Sequence, residues 1–164
     1  MELLSSIEHS AFSTWVREGS SIFGYYGFLF LHTVGLSLVV GFSVVIDLRL
    51  LGFVRRLPVA PLEQYFPVIW LGFWINAASG AVLLISDATA KLTSPMFGLK
   101  MLLVALAVAD LILIRRLVFR ELTADGVVPP IGRILAAASI ALWCGAIAAG
   151  RVMAFIETVP GGQG

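Results

Sequence analysis

Ile22-Phe-Gly-Tyr-Tyr-Gly-Phe-Leu-Phe-Leu-His32-Thr-Val-Gly-Leu-Ser-Leu-Val-Val-Gly-Phe-Ser-Val-Val-Ile46 decides the fold of this chain. These 25 residues carry no formal charge and hold one imidazole near their middle. As a helix, a stretch of that length crosses the roughly 30 Å hydrocarbon core of a bilayer. An ionisable group at such a depth is costly and is a candidate for function.

The rest of the chain agrees. Of 164 residues, 59% are hydrophobic and 13% charged, against about 25% charged in a soluble domain. Mean hydropathy is +0.98. The composition is that of an integral membrane protein, read as a single membrane domain over 1–164. Residues 1–21 have helical apolar spacing (Leu3, Leu4, Ile7, Ala11, Phe12, Trp15, Val16) opposite Glu2, Glu8, Arg17 and Glu18, which predicts an interfacial amphipathic helix. His9 within it is expected to be solvated. The opening MELLSS lacks the basic start of a signal peptide, so no cleaved leader is expected.

Four spans are expected, at about 22–46, 65–85, 95–118 and 131–156, with a flexible tail over 157–164. A small polar loop, SDATAKLTS, separates the second from the third. Short connections favour an all-α, up-down-up-down four-helix bundle. Ser37 with Gly41, and Ala137, Ala141, Gly145 and Ala149, recur every four residues as small-residue packing stripes. The lone Cys144 lies in an apolar run and reads as a packing residue.

Basic residues are uneven. Arg49, Arg55 and Arg56 follow the first span, and Arg115, Arg116 and Arg120 follow the third, with Arg133 just inside the fourth. Arg17 and Lys91 stand alone on the other side. The positive-inside rule then places both basic connections in the cytoplasm and both termini outside. Those connections lack the interleaved aromatics of a nucleic-acid surface, so no nucleic-acid partner is expected.

Four intramembrane ionisable groups need an explanation: His32, Lys100, Asp110 and Arg151. From the helical rise, His32 lies roughly 15 Å deep, and Lys100 and Arg151 roughly 7–8 Å below the outer surface. Those two cations either snorkel to the headgroups or clamp an anion such as a propionate or phosphate, since the adjoining sequence offers no acid at that depth. Asp110, in the inner half, is expected to pair with Arg49 or Arg133. His32 shares a helix face with Tyr25, Phe28, Leu29, Gly35, Leu36 and Val39; Trp70, Phe73, Trp74 and Asn76 of the second span lie at comparable depth. Two readings of His32 stay open: an interhelical hydrogen bond to Asn76 or Ser79, or ligation of a planar tetrapyrrole. A second intramembrane histidine, a zinc-spaced cluster, a phosphate-cradling glycine loop and a Ser/His/Asp arrangement are all absent from the sequence.

At His32-Thr-Val-Gly35-Leu36, Gly41 and Asp47-Leu-Arg49-Leu-Leu-Gly52, the chain resembles an uncharacterised family of small four-span bacterial inner-membrane proteins. Lys100 and Gly150-Arg151 fit the same resemblance, which covers nearly the whole chain and implies a fold and a choice of residues without an activity. More distantly, His32, Arg49-Leu50 and Lys100-Met-Leu-Leu-Val104 resemble the four-helix, oxygen-independent protoporphyrinogen oxidases. Those are haem-associated membrane proteins with an essential histidine and lysine. A likeness to the copper-resistance D membrane proteins implies copper handling instead, with Met101 or Met153 beside His32.

The leading expectation is a haem b-binding redox or electron-transfer component of the bacterial inner membrane. His32 would ligate the iron, Lys100 and Arg151 would take the propionates, and Tyr25, Phe28, Gly35, Trp74 and Asn76 would line the site. The alternative is a non-catalytic membrane subunit or a copper-handling protein without haem. Whether the chain is an enzyme stays open. Its partners are the lipid bilayer and a periplasmic or membrane redox protein, with a homo-oligomer or larger complex also open.

Overall fold

The computed structural model describes residues 11–18, 24–120 and 128–158. His9 and most of the tail lie outside them. The chain is all-α, and four of its helices are long and apolar enough to cross a membrane: Tyr25–Leu51, Ala60–Ile85, Pro95–Phe119 and Pro130–Phe155. The all-α class with four long apolar helices expected from the sequence is the one adopted.

In chain order the elements are α1 (Ala11–Glu18), α2 (Tyr25–Leu51), a 3-10 turn (Ala60–Tyr65), α3 (Phe66–Ile85), α4 (Ala88–Thr93), α5 (Pro95–Ile114), a π turn (Arg115–Phe119) and α6 (Pro130–Thr158). Contacts divide them into two units, Met1–Val39 with Val68–Ser94, and Val40–Pro67 with Pro95–Gly164. Both α2 and α3 run through the division.

In the first unit, α1 buries Val16 of its expected apolar face, but it also buries Ser13 and leaves Trp15 half exposed. Ser13 Oγ donates to Ile85 O at 3.4 Å. The SDATAKLTS stretch is not a plain loop, because α4 folds within it. Lys91 is drawn inward there: its Nζ donates to Leu83 O at 2.9 Å and pairs with Asp87 at 3.7 Å. A lysine beside freed carbonyls at the end of α3 satisfies acceptors that the helix leaves open.

In the second unit, α2 continues past its expected end at Ile46 and stops at Leu51. Gly52 has φ +93°, the left-handed conformation that glycine adopts without a Cβ penalty. Its N–H bonds Arg49 O at 3.1 Å, and Phe53 N–H bonds Leu48 O at 3.0 Å, a Schellman cap. Arg49 Nε donates to Leu57 O, tying the connection back to the helix. Pro61 sits at the start of the 3-10 turn. Arg115 lies 5.4 Å over the Phe66 ring and pairs with Glu63 at 3.6 Å, and Phe66 meets Phe119 edge to face at 5.3 Å.

Helices α5 and α6 pack antiparallel. A Cβ built on Gly132 would meet Val118 at 3.1 Å, one on Gly145 would meet Leu103 at 3.3 Å, and one on Gly150 would meet Lys100 at 3.6 Å. In each pair the residue numbers add to nearly the same total, so the register is constant. The buried face of α6 carries Leu135, Ala136, Ser139, Trp143, Ala146 and Ala149, a spacing of three and four. The expected every-four stripe is corrected accordingly. Gly145 and Ala149 do pack, but Ala137 and Ala141 are exposed, because a strict four-residue row drifts around a helix of 3.6 residues per turn.

Candidate functional site

In the first unit, His32 is held by α3. Its Nδ1 lies 2.9 Å from Asn76 O; a carbonyl only accepts, so Nδ1 carries the proton and donates. Asn76 Nδ2 donates in return to His32 O at 2.7 Å. Ser79 Oγ stands 3.4 Å from the same ring nitrogen and donates to Ile75 O at 2.6 Å. Backbone is within reach because glycine lets the helices close. A Cβ on Gly35 would lie 2.6 Å from Asn76 N and 2.8 Å from Gly72 O, and one on Gly72 would lie 2.7 Å from Leu38 Cβ. A Cβ on Gly80 would lie 2.9 Å from His32 Cε1, so the ring rests by its Nδ1–Cε1 edge on the α3 backbone.

This arrangement fixes a tautomer. With Nδ1–H given to a carbonyl, the lone pair of the neutral ring belongs to Nε2. That nitrogen is the one a metal would take.

Of the expected site residues, the structure joins His32, Asn76 and Gly35. Trp74 is 65% exposed and packs edge to face on Phe73 at 5.3 Å. It lies two residues before Asn76, about 200° around the helix, and does not line the histidine. Tyr25 packs on Tyr26 at 5.9 Å, and Phe28 is half-buried one turn before His32. Ser37 donates to Thr33 O of its own helix and is exposed, and nothing lies within 4 Å of a Cβ on Gly41. The close approach expected at Ser37 and Gly41 is made at Gly35 and Gly72.

In the second unit, Lys100 lies along Gly150 and is half-buried, while the neighbouring Arg151 is exposed. The two cations share a level on α5 and α6, and the exposure of Arg151 matches the snorkelling alternative for that residue.

The same unit buries Asp110 together with polar groups that carry no expectation from the sequence. Asp47, Ser43, Asp110, Ser139 and Trp143 are each at least nine-tenths buried. Asp47 Oδ1 and Oδ2, Asp110 Oδ2, both serine hydroxyls and the indole N–H have no hydrogen-bond partner. The expected ion pair of Asp110 with Arg49 or Arg133 is not formed, because Arg49 turns to Leu57 O and Arg133 is exposed. The available signal was the i, i+4 repetition of polar residues, Ser43–Asp47 and Ser139–Trp143, on otherwise apolar helices.

Fold and sites together define a multi-pass all-α membrane protein with two polar clusters inside its helices. No protein-family model, no curated protein and no solved structure matches the chain.

Proposed function

We propose that this protein is a small haem b-binding component of the bacterial inner membrane, serving redox or electron transfer, with His32 as the axial ligand through Nε2. The observation that carries the reading is the 2.9 Å contact from His32 Nδ1 to the Asn76 carbonyl. A carbonyl behind the imidazole fixes ring and tautomer and raises the basicity of the other nitrogen, as behind metal-bound histidines generally. A neutral imidazole also supplies a ligand to haem iron without placing a fixed charge in lipid. Among the described residues, no three of His, Cys, Asp and Glu converge; a closed zinc or copper site therefore has less support than a single-histidine haem. The arginine asymmetry supports placing both termini on the periplasmic side, where a redox partner would dock.

A second reading has its own observation. The return bond from Asn76 Nδ2 to His32 O at 2.7 Å closes a reciprocal pair, which is what a helix clamp in a non-catalytic membrane subunit needs. One experiment separates the two. Purified protein supplied with excess haem is expected to show a Soret band that is lost in His32→Ala. It should persist in Asn76→Ala, because the accepting carbonyl is backbone. Wild type that takes up no haem, or His32→Ala with an unchanged spectrum, would leave the clamp as the role of this histidine.

A further inference from the structure

The unpaired polar cluster of the second unit is independent of the haem reading. Asp47 on α2 is 1% exposed, Asp110 on α5 is 6% exposed, and Ser139 on α6 is fully buried. Ser139 and Asp110 both act on the Asp47 carboxylate, yet no hydrogen bond of acceptable geometry forms there. The α5–α6 register gives the geometry of the other two groups: contacts of 118 with 132, 103 with 145 and 100 with 150 put 110 level with about 139. Asp110 and Ser139 are thus level on α5 and α6, and the Asp47 carboxylate of α2 is near enough to both to feel them. Ser43 and Trp143 follow one turn away on the faces of Asp47 and Ser139, roughly 6 Å along each helix.

Buried carboxylates without a partner are expensive. A native chain ordinarily compensates them with a base, with hydrogen-bond donors or with a bound ion. No Lys or Arg of the described residues forms an ion pair with either acid. The donor set is all oxygen, which suits hard cations rather than zinc or copper. Two negative charges are neutralised in one step by a divalent ion.

We propose that Asp47, Asp110 and Ser139 form a binding site for a hard divalent cation of the Mg2+ or Ca2+ class, with Ser43 and Trp143 flanking it. The carboxylate oxygens and the Ser139 hydroxyl are the ligands. The Ser43 hydroxyl and the Trp143 indole N–H, one turn away, are buried polar groups without a partner of their own.

Linkage gives the test, because an ion that binds only the folded state raises its melting temperature. The full chain in detergent, stripped with chelator, is melted in MgCl2, CaCl2, NaCl and N-methylglucamine chloride at matched ionic strength. A saturable rise with MgCl2 or CaCl2 is expected. It should be lost in Asp47→Asn and in Asp110→Asn, and kept in Asp87→Asn, which alters an acid of the polar connection. Should the Asn variants not fold, Ser139→Ala keeps both charges and is expected to move the half-effect concentration up about tenfold. Equal melting in all four salts overturns the proposal. So does a rise with NaCl alone, or a divalent rise that survives Asp47→Asn or is unmoved by Ser139→Ala. Equal melting together with a protonated-carboxyl stretch in the infrared, lost in Asp47→Asn, overturns it in favour of bound protons.

Discussion

The two polar clusters solve the same problem differently. Around His32, polar groups find backbone: Nδ1 reaches Asn76 O, Asn76 Nδ2 reaches His32 O and Ser79 Oγ reaches Ile75 O. Around Asp47 and Asp110, carboxylate, hydroxyl and indole atoms are buried more deeply than His32 and Asn76 and find no hydrogen-bond partner. The difference begins with glycine. Gly35, Gly72 and Gly80 bring one helix backbone within reach of its neighbour, and backbone carbonyls then serve as partners for side chains. In the second unit the buried neighbours of Asp110 and Ser139 along α5 and α6 include Leu111, Ile114, Leu135 and Ala136, apolar side chains that offer no partner. The first cluster satisfies its hydrogen bonds from within the protein; the second leaves its buried polar atoms without hydrogen-bond partners.

The largest expected effect breaks the first cluster at its glycine. In Gly35→Ala the new Cβ meets Asn76 N at 2.6 Å and Gly72 O at 2.8 Å, and backbone cannot swing aside as a flexible side chain does. A loss of about 3 kcal/mol is expected, the upper end for overpacking. Gly41→Ala is the control: nothing lies within 4 Å of its Cβ, and trading glycine for alanine in a helix gains about 0.5 kcal/mol. Reversible unfolding in mixed micelles reads both, and equal effects would show that the helices do not close at Gly35.

That pair of glycines also shows what the sequence could reveal. Helix number followed from long apolar runs and charge spacing, because bilayer thickness and the cost of charge leave few alternatives. His32 and Asn76 were legible as polar residues at matching depth. Which small residue makes the contact was not, since Ser37 and Gly41 have as good a spacing as Gly35, and only the crossing of α2 on α3 selects among them. In the sequence α2 looks to end at Ile46, because Asp47 and Arg49 resemble a boundary. Its true stop is the Gly52 cap, with Asp47 buried inside the helix. For Asp110 charge alone suggests a salt bridge, and the group it joins depends on the α5–α6 register, which no local pattern states.

The second expected effect sharpens the contrast from the other side. In protein stripped of divalent ions, Asp110→Asn removes a buried charge and keeps the shape of the side chain. Loss of an uncompensated charge is stabilising, here by about 2 kcal/mol, so the variant should melt above wild type under chelator. A polar residue removed from the His32 cluster should act in the opposite direction. If Asp110→Asn instead melts well below wild type under chelator, the carboxylate has a partner after all and the two clusters are alike.

The smallest effect measures the completed cluster itself. His32→Ala and Asn76→Ala each lose one side-chain bond, and the two bonds belong to one reciprocal pair. Single substitutions also change packing against Gly80, where the ring rests, so neither alone isolates the pair. A double-mutant cycle does, because the packing terms cancel where the substitutions are otherwise independent. Hydrogen bonds between membrane helices average about 0.6 kcal/mol and reach about 1.7; two bonds on a shared backbone crossing should couple by about 1 kcal/mol. Each side chain bonds the other residue's backbone rather than its side chain, which sharpens the reading. Asn76→Ala leaves the acceptor of Nδ1 in place, and His32→Ala leaves the acceptor of Nδ2. Coupling near 1 kcal/mol therefore means that each bond helps to hold the crossing at which the other forms. Additive losses would mean that Gly35 and Gly72 set the crossing alone, and that the imidazole is positioned by it without contributing to it.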